Sequence, residues 1–209
     1  MFSQINITIG LIMKRINKFT VKIMLTILIV LLHHSWTKAD QISEFEIEGI
    51  SIGNSALDHF SRSQIQNNTY SYPASDKYKR VQNDKLPFFK TYDAVDFRFK
   101  TKSKNFIIES LSGIILYKRN FDRCYDKQKE IVNELTSILN DYERGDSDHV
   151  YNDDHWKGSR SVQVSFILKN GDIISVHCND YSEDHGGQDH LSVNLKKKEF
   201  DDFLASAYN

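Results

Sequence analysis

Residues 161–178, SVQVSFILKNGDIISVHC, contain two apolar runs on either side of Asn170-Gly171. Apolar residues that recur at every second position indicate strands, and Asn-Gly between two such runs is typical of a β-hairpin turn. A two-residue loop would pair Phe166 with Ser175, whereas a three-residue loop pairs Phe166 with Ile174 and gives one continuous apolar face. Because a slip of one residue turns every side chain to the opposite face, only one of these registers packs well on a core. We therefore favour the three-residue loop.

In this register Cys178 lies on the apolar face. A second cysteine, Cys124, begins a helical pattern, because residues suited to a buried face recur from it at intervals of three and four as far as Tyr142. We predict a helix over residues 121–142 that packs on the hairpin and brings the two cysteines together. A Cys124–Cys178 disulfide would close a loop of about 55 residues and stabilise the fold by about 4 kcal/mol. Two buried free thiols and a redox role are the alternatives.

The remaining patterns predict an α+β fold with a mostly antiparallel sheet, packed against one long helix plus shorter N- and C-terminal helices, because hairpins outnumber strand–helix–strand units. A helical pattern covers residues 55–65, and a closing helix presents Phe200, Phe203 and Leu204 on one face. Two polar segments, residues 67–90 and 143–159, are predicted to be long loops. Strand patterns cover residues 45–50, 95–99, 106–117, 161–168, 172–181 and 190–195.

The first 39 residues predict a secretory signal peptide. They contain five basic and no acidic residues, an uncharged run over 23–32, and a small-residue exit at Thr37-Lys38-Ala39. The apolar run is about ten residues, whereas a membrane-spanning helix needs roughly 20, so we expect cleavage near Ala39. An uncleaved anchor is the alternative, and Met13 is a second candidate start. We therefore predict a periplasmic or secreted protein with a single α+β domain over residues 40–209, which meets the membrane only transiently.

Cleavage would change the charge of the protein. It would remove five of the 27 basic residues and leave 22 against 28 acidic residues, a net charge of −6. This balance lacks the basic footprint of a nucleic-acid-binding protein. A hydrophobic content of 40% with 12% aromatic residues is typical of a folded chain. We expect a folded acidic protein with no nucleic-acid partner and no cofactor.

Segments across most of the mature region resemble a family of small exported proteins of marine alphaproteobacteria that has no assigned function. This resemblance implies export and paired cysteines, and it implies no catalytic residue or ligand. The segments are FEIEGISIGNSALDHFS (45–61), YPASDKY (72–78), YDAVDFRFK (92–100), RCYDKQKEIVNEL (123–135) and CNDYSED (178–184).

The sequence GNSAL, residues 53–57, is similar to the Gly-Asp-Ser-Leu block of the SGNH esterases and lipases. The resemblance implies that Ser55 is a nucleophile served by helix N-terminal N–H groups, with His149 as a partner. However, Asn54 replaces the aspartate of that block, and the sheet is predicted to be antiparallel where that fold needs parallel strands. A serine at a helix start is ordinarily a cap, and we favour that role.

Five residues are candidate metal ligands because they lie in segments rich in acids and histidines: His149, Asp153, His155, His185 and His190. Imidazole nitrogen and carboxylate oxygen could hold Ca²⁺ or a transition metal. Their spacing matches no dedicated metal motif, so we favour solvated loops. A metal-assisted hydrolase is the alternative.

Aromatic and basic residues interleave in the segment 67–90, and Lys77, Tyr78, Lys79 and Arg80 are its candidate binding residues. Such side chains suit contacts with an envelope protein or a glycan. The alternative is that the aromatic residues fold back as a lid on the sheet. We predict a non-catalytic binding or accessory module of the cell envelope, with a secreted hydrolase as the alternative.

Overall fold

A computed structural model describes residues 41–208 except 74, 85, 153–155 and 186. The predicted signal peptide, the start at Met13 and the cleavage at Ala39 lie outside the described residues. Among the helices of the described part, none combines the length and the apolar character needed to cross a membrane.

The described residues contain ten strands and three α-helices. The helices are α1 (Arg62–Asn67), α2 (Phe121–Ile138) and α3 (Lys198–Tyr208). The strands are β1 (Glu46–Ile47), β2 (Ile50–Ser51), β3 (Thr69–Tyr72), β4 (Ser75–Asp84), β5 (Ala94–Lys100), β6 (Ile108–Leu116), β7 (Tyr142–Val150), β8 (Arg160–Leu168), β9 (Ile173–Asp180) and β10 (His190–Lys196).

Eight strands form one antiparallel sheet in the order β3-β4-β5-β6-β10-β9-β8-β7. The prediction of an α+β fold with a mostly antiparallel sheet is confirmed. β1 and β2 form a separate two-stranded ribbon. The last strand of the chain, β10, lies between β6 and β9 near the centre of the large sheet.

The register of the β8–β9 hairpin is the one that the apolar pattern favours. Phe166 pairs with Ile174, and Val162 pairs with Cys178. Gly171 adopts a left-handed φ of 84°, which the three-residue loop requires. All four paired side chains are buried, so a single register satisfies both the turn and the core.

The helix α2 packs over β9 and β10 on the apolar face of the sheet. Cys124, at its start, forms a disulfide with Cys178, and their Cα atoms are 5.9 Å apart. Gln128 is 1% exposed, and its side-chain amide donates hydrogen bonds of 2.8 Å to the carbonyls of Val162 and Val176. The disulfide and the hydrogen bonds of Gln128 both attach α2 to the β8–β9 hairpin.

The predicted end of this helix at Tyr142 is wrong. The helix ends at Ile138 because the next residue, Leu139, has an extended backbone with ψ 144°. Tyr142 instead begins β7, so the loop predicted over 143–159 is also wrong in its first half. Since β7 is an edge strand with eight of its nine residues exposed, it carries none of the apolar alternation that reveals a half-buried strand.

The long loop predicted over residues 67–90 is wrong as well, because most of it forms the hairpin β3–β4. β4 buries Tyr78 and Val81, which lie an odd number of residues apart and therefore on opposite faces of the sheet. This division of buried residues between two faces breaks the period of two, so the sequence does not indicate a strand.

The predicted N-terminal elements are shorter than expected. The strand expected over 45–50 is divided into β1 and β2 by a turn at Glu48 and Gly49. The helix expected over 55–65 is a 3₁₀ turn, Ala56–Asp58, followed by α1. A capping box joins Ser61 to Gln64 and starts α1 there.

The second face of the large sheet is polar. We call this surface the polar face, and α3 covers one end of it by packing Phe200 and Phe203 against Tyr78 and Tyr72. The register places on this face, from β4 to β9, Arg80, Asp96, Arg98, Ser110, Ser112, Ser192, Asn194, Lys196, Ser175 and His177.

Candidate functional site

A cleft of about 300 Å³ lies on the polar face beside α3, and we call it the polar cleft. Its floor is built by rows of side chains that face one another on neighbouring strands, such as Arg98 opposite Ser110 and Ser110 opposite Lys196. Phe200 and Leu204 of α3 form an apolar wall. The lining residues are Tyr72, Arg80, Arg98, Ser110, Ser112, Ser175, His177, Asn194, Lys196, Phe200 and Leu204.

A buried carboxylate holds two guanidinium groups at one side of the cleft. The side chain of Asp96 is 2% exposed, and its Oδ2 accepts hydrogen bonds from Arg80 Nε at 2.6 Å and from Arg98 Nη2 at 3.2 Å. Arg98 also donates to Ser112 Oγ at 2.8 Å. Burial is the largest single influence and would lower the pKa of Arg98, but the charge of Asp96 and the hydroxyl of Tyr72 together raise that pKa. Arg98 is therefore a fixed cation.

Two buried oxygen atoms at this place have no hydrogen-bond partner among the described residues. They are Asp96 Oδ1 and Ser110 Oγ. Buried polar atoms are nearly always paired in folded proteins, and each exception calls for an explanation. Ser110 is one of the residues that line the cleft, so its unpaired hydroxyl lies next to the space that a ligand would occupy.

His177 presents a neutral imidazole to the cleft. Burial, reinforced by the positive charge of Lys196, lowers the pKa of His177 to about 4. Its Nε2 lies 2.9 Å from Ser175 Oγ. At neutral pH this ring is a hydrogen-bonding group without charge.

The charges that surround the cleft leave a small positive excess. Arg80, Arg98 and Lys196 are offset by Asp96 and by Asp201 of α3, whose Oδ1 accepts a hydrogen bond from Lys196 at 2.5 Å. Three cations against two carboxylates give one positive charge. With its hydroxyl and amide groups and its apolar wall, the cleft suits a small ligand that has an anionic end and an apolar part.

The structure does not bring Ser55 and His149 together. Ser55 bridges to Ile107 at the start of β6, and β7, which carries His149, lies four strands away. At the spacing of neighbouring strands this separation is about 19 Å. The hydroxyl of Ser55 caps a 3₁₀ turn by accepting from Leu57 N at 3.2 Å, and it donates to Asn105 O at 2.7 Å. Ser55 therefore has the capping role that we favour.

The candidate metal ligands that can be located do not converge. His149 packs its ring edge-on against Tyr151, whereas His190 on β10 lies 3.1 Å from the Asn179 amide. Three strand spacings, about 14 Å, separate the two histidine-bearing strands. Asp153, His155 and the side chain of His185 lie outside the described residues. Within the described part, no group of three or more His, Cys, Asp or Glu side chains could hold a metal ion.

The four candidate binding residues, Lys77, Tyr78, Lys79 and Arg80, lie on β4 and have different surroundings. Tyr78 is buried beneath Phe200, and this burial raises the pKa of its hydroxyl. Lys77 pairs with Glu199 at 3.4 Å, and Lys79 pairs with Asp76 at 2.8 Å. Of the four, Arg80 lines the polar cleft.

The other polar residues of the cleft are not among the sequence candidates. Serine, asparagine and histidine at alternate positions of a strand indicate only a solvated face, which is the ordinary interpretation. A signal exists in retrospect: Ser110 and Ser112, Ser175 and His177, and Asn194 and Lys196 are pairs of cleft residues two positions apart.

No protein-family model matches the chain, and no curated protein matches it. The chain is similar to a solved structure, the solution structure of cyanobacterial PsbP from Synechocystis, with 14% sequence identity and a TM-score of 0.31. The match covers 66% of this chain and 89% of that chain. A TM-score this low does not establish a shared fold, and the resemblance to exported alphaproteobacterial proteins stays a prediction.

Proposed function

We propose that the protein is a non-catalytic binding module that holds a small anionic ligand in the polar cleft. The observation that supports this function most directly is the arrangement of Arg80 and Arg98 on the buried Asp96, beside the unpaired hydroxyl of Ser110. Guanidinium groups bind carboxylate and phosphate through parallel hydrogen bonds, so their fixed placement favours such a ligand.

The cleft is organised before any ligand arrives. Arg98 donates to Tyr72, Ser112 and Asp96, so its side chain has little freedom left to lose on binding. Arg80 is 40% exposed in its side chain and reaches solvent at the mouth of the cleft. Preorganised groups of this kind improve affinity because binding does not have to order them.

The Cys124–Cys178 disulfide supports the export part of the proposal. Disulfides persist in the periplasm and outside the cell and are rare in the cytosol. Together with the predicted signal peptide, this bond favours a periplasmic or secreted protein. We propose an accessory role in the cell envelope, where the anionic group could belong to a glycan or to a small metabolite.

The hydrolase alternative has little support in the polar cleft. Ser175 and His177 are within hydrogen-bonding distance, but Ser175 is fully buried. A general base works best when its pKa lies near the operating pH, and the pKa of His177 is lowered to about 4. This pair therefore fits a structural hydrogen bond better than a nucleophile and its base.

Ser110→Ala provides the sharpest test of the binding function. Its hydroxyl has no partner among the described residues, so its removal should leave stability unchanged or slightly raised. Binding of inorganic phosphate, succinate or glucuronate, measured by isothermal titration calorimetry, should weaken by about fivefold or more. Arg80→Gln should weaken binding at least as much, because it removes a charged donor.

Matched controls are Ser137→Ala, which removes a serine hydroxyl from the outer side of α2, and Lys79→Gln, which removes a positive charge on β4 outside the cleft. Neither control should change the affinity. If none of the three probes binds at millimolar concentration, or if Ser110→Ala and Arg80→Gln bind as the parent does, the polar cleft is not an anion site.

A further inference from the structure

The outer edge of β7 is long, regular and exposed. β7 pairs with β8 over nine consecutive residues with no register shift, and eight of those nine residues are exposed. The opposite edge of the sheet, β3, has four residues and an irregularity between Ser71 and Tyr72. Short or bulged edges resist pairing with another chain, whereas a long flat edge invites it. Among the described strands, none pairs with the outer side of β7.

The sequence of β7, YERGDSDHV, is complementary to itself when two copies run antiparallel about Asp146. Arg144 then lies opposite Asp148 of the second copy, so opposite charges face each other twice across the pair. Tyr142 faces Val150, which places apolar side chains at both ends. Glu143 faces His149, a carboxylate opposite an imidazole. Directly opposed pairs of this kind stabilise antiparallel strands.

We propose that two copies of this chain associate through β7, antiparallel about a two-fold axis, and join their sheets into one continuous sheet. A two-fold interface uses the same surface on both subunits, so a self-complementary strand is what it requires. The cross-strand pairs of this register involve every residue of β7, with Asp146 on the axis.

Asp146 faces its own copy across the axis, and this is the one like-charged pair. Its charge is already matched within the chain, because Arg144 donates to both carboxylate oxygens of Asp146 at 2.8 and 3.0 Å. Asp148 is held in the same way by Arg160 at 2.8 and 2.6 Å. These ion pairs fix the side chains before association.

The charges on β7 also favour a second copy over an unrelated strand. Charged residues on an edge strand normally discourage pairing, because a foreign strand would leave them without partners. In the antiparallel register, by contrast, the charges of Arg144 and Asp148 are matched by Asp148 and Arg144 of the second copy. The charges of β7 therefore favour pairing with a second copy of β7 over pairing with an unrelated strand.

Charge reversal tests this interface. The protein is produced from the full-length coding sequence, purified as the cell processes it, and studied by sedimentation equilibrium. The parent should be a dimer, whereas Arg144→Asp should oppose two aspartates and Asp148→Arg should oppose two arginines in each dimer. Each variant alone should dissociate at least about tenfold more readily.

An equimolar mixture of the two variants decides between the outcomes. In a mixed dimer, one of the two cross-strand sites pairs the two introduced side chains, an aspartate and an arginine, and the other pairs the native Arg144 with the native Asp148. Opposite charges therefore face each other at both sites, so the dimer should return. Lys169→Asp, a charge reversal in the exposed β8–β9 turn, is the control and should leave the dimer intact. A parent that stays monomeric at millimolar concentration, a dimer that survives Arg144→Asp, or a mixture that stays monomeric would each overturn the proposal.

Discussion

Acidification should destabilise the protein through His177. In the folded state burial lowers the pKa of this imidazole from 6.5 to about 4, whereas in the unfolded chain it returns to its ordinary value. Between these two values the unfolded state binds a proton that the folded state does not. The free energy of unfolding therefore falls as the pH is lowered through this window.

The size of this loss of stability follows from the shift in the pKa of His177. A difference of about 2.5 pKa units at about 1.4 kcal/mol per unit gives a loss of about 3 kcal/mol. The contribution of His177 is constant above pH 6.5, falls through the window, and reaches its full loss near pH 4. For a protein of ordinary stability this is a large fraction of the total.

Urea unfolding of the parent and of His177→Asn at several pH values through this window measures the loss. Asparagine keeps a polar group near Ser175 and takes up no proton, so its curve lacks the His177 contribution. Other titratable groups contribute equally to the pH dependence of the two proteins. For example, a hydrogen bond from Lys100 lowers the pKa of Glu199, so protonation of Glu199 in acid also reduces the stability of both. The difference between the two curves isolates the histidine.

The expected result is a parent that loses about 3 kcal/mol more than the variant between neutral pH and pH 4. Titration of the His177 ring followed by NMR should give a midpoint near 4. If the ring titrates near 6.5, or if the two proteins lose the same stability, then His177 is not buried in the polar cleft as described.

Two further predictions concern the attachment of α2 to the sheet. Replacing Cys124 and Cys178 together with alanine should lower the free energy of unfolding by about 4 kcal/mol, because the disulfide joins residues 54 positions apart and restricts the unfolded chain. Urea unfolding measures this loss, and an unchanged unfolding midpoint would contradict it. Gln128→Leu should cost about 2 kcal/mol, because it leaves the buried carbonyls of Val162 and Val176 without their donor. Glu130→Gln, an exposed change on the same helix, should cost less than about 0.5 kcal/mol, and equal losses for the two variants would contradict the role of Gln128.

The sequence predicts the β8–β9 hairpin well because two independent signals agree there. Asn170-Gly171 defines the turn, and the apolar residues on both sides define the face. Phe166 and Ile174 are consequently paired as expected. The same residues, 161–178, also predict that the sheet is antiparallel and that Cys178 lies on its apolar face.

The same reasoning fails at β7, which is one edge of the sheet, and at β4, which lies next to the other edge. An edge strand such as β7 is bonded on one side only and buries little, so its side chains need not alternate between apolar and polar. β4 buries residues on both faces, which produces a mixed pattern. In both places the strand is specified by its neighbours rather than by its own sequence.

The polar cleft could not be predicted for a further reason. Its residues come from six strands, β3, β4, β5, β6, β10 and β9, and from α3, and the strand order brings the strand residues together. No local pattern reveals that β10 lies between β6 and β9. Arg98 and Lys196 therefore look like separate solvent-exposed charges until the topology is known.

The central position of β10 also affects the order in which the protein can fold. A nascent chain that ends before His190 contains β6 and β9 but lacks the strand that lies between them. Its two half-sheets would expose unpaired edges, and the contact that closes them joins residues far apart in sequence, which slows folding. The sheet can therefore close only once nearly the whole chain has been synthesised.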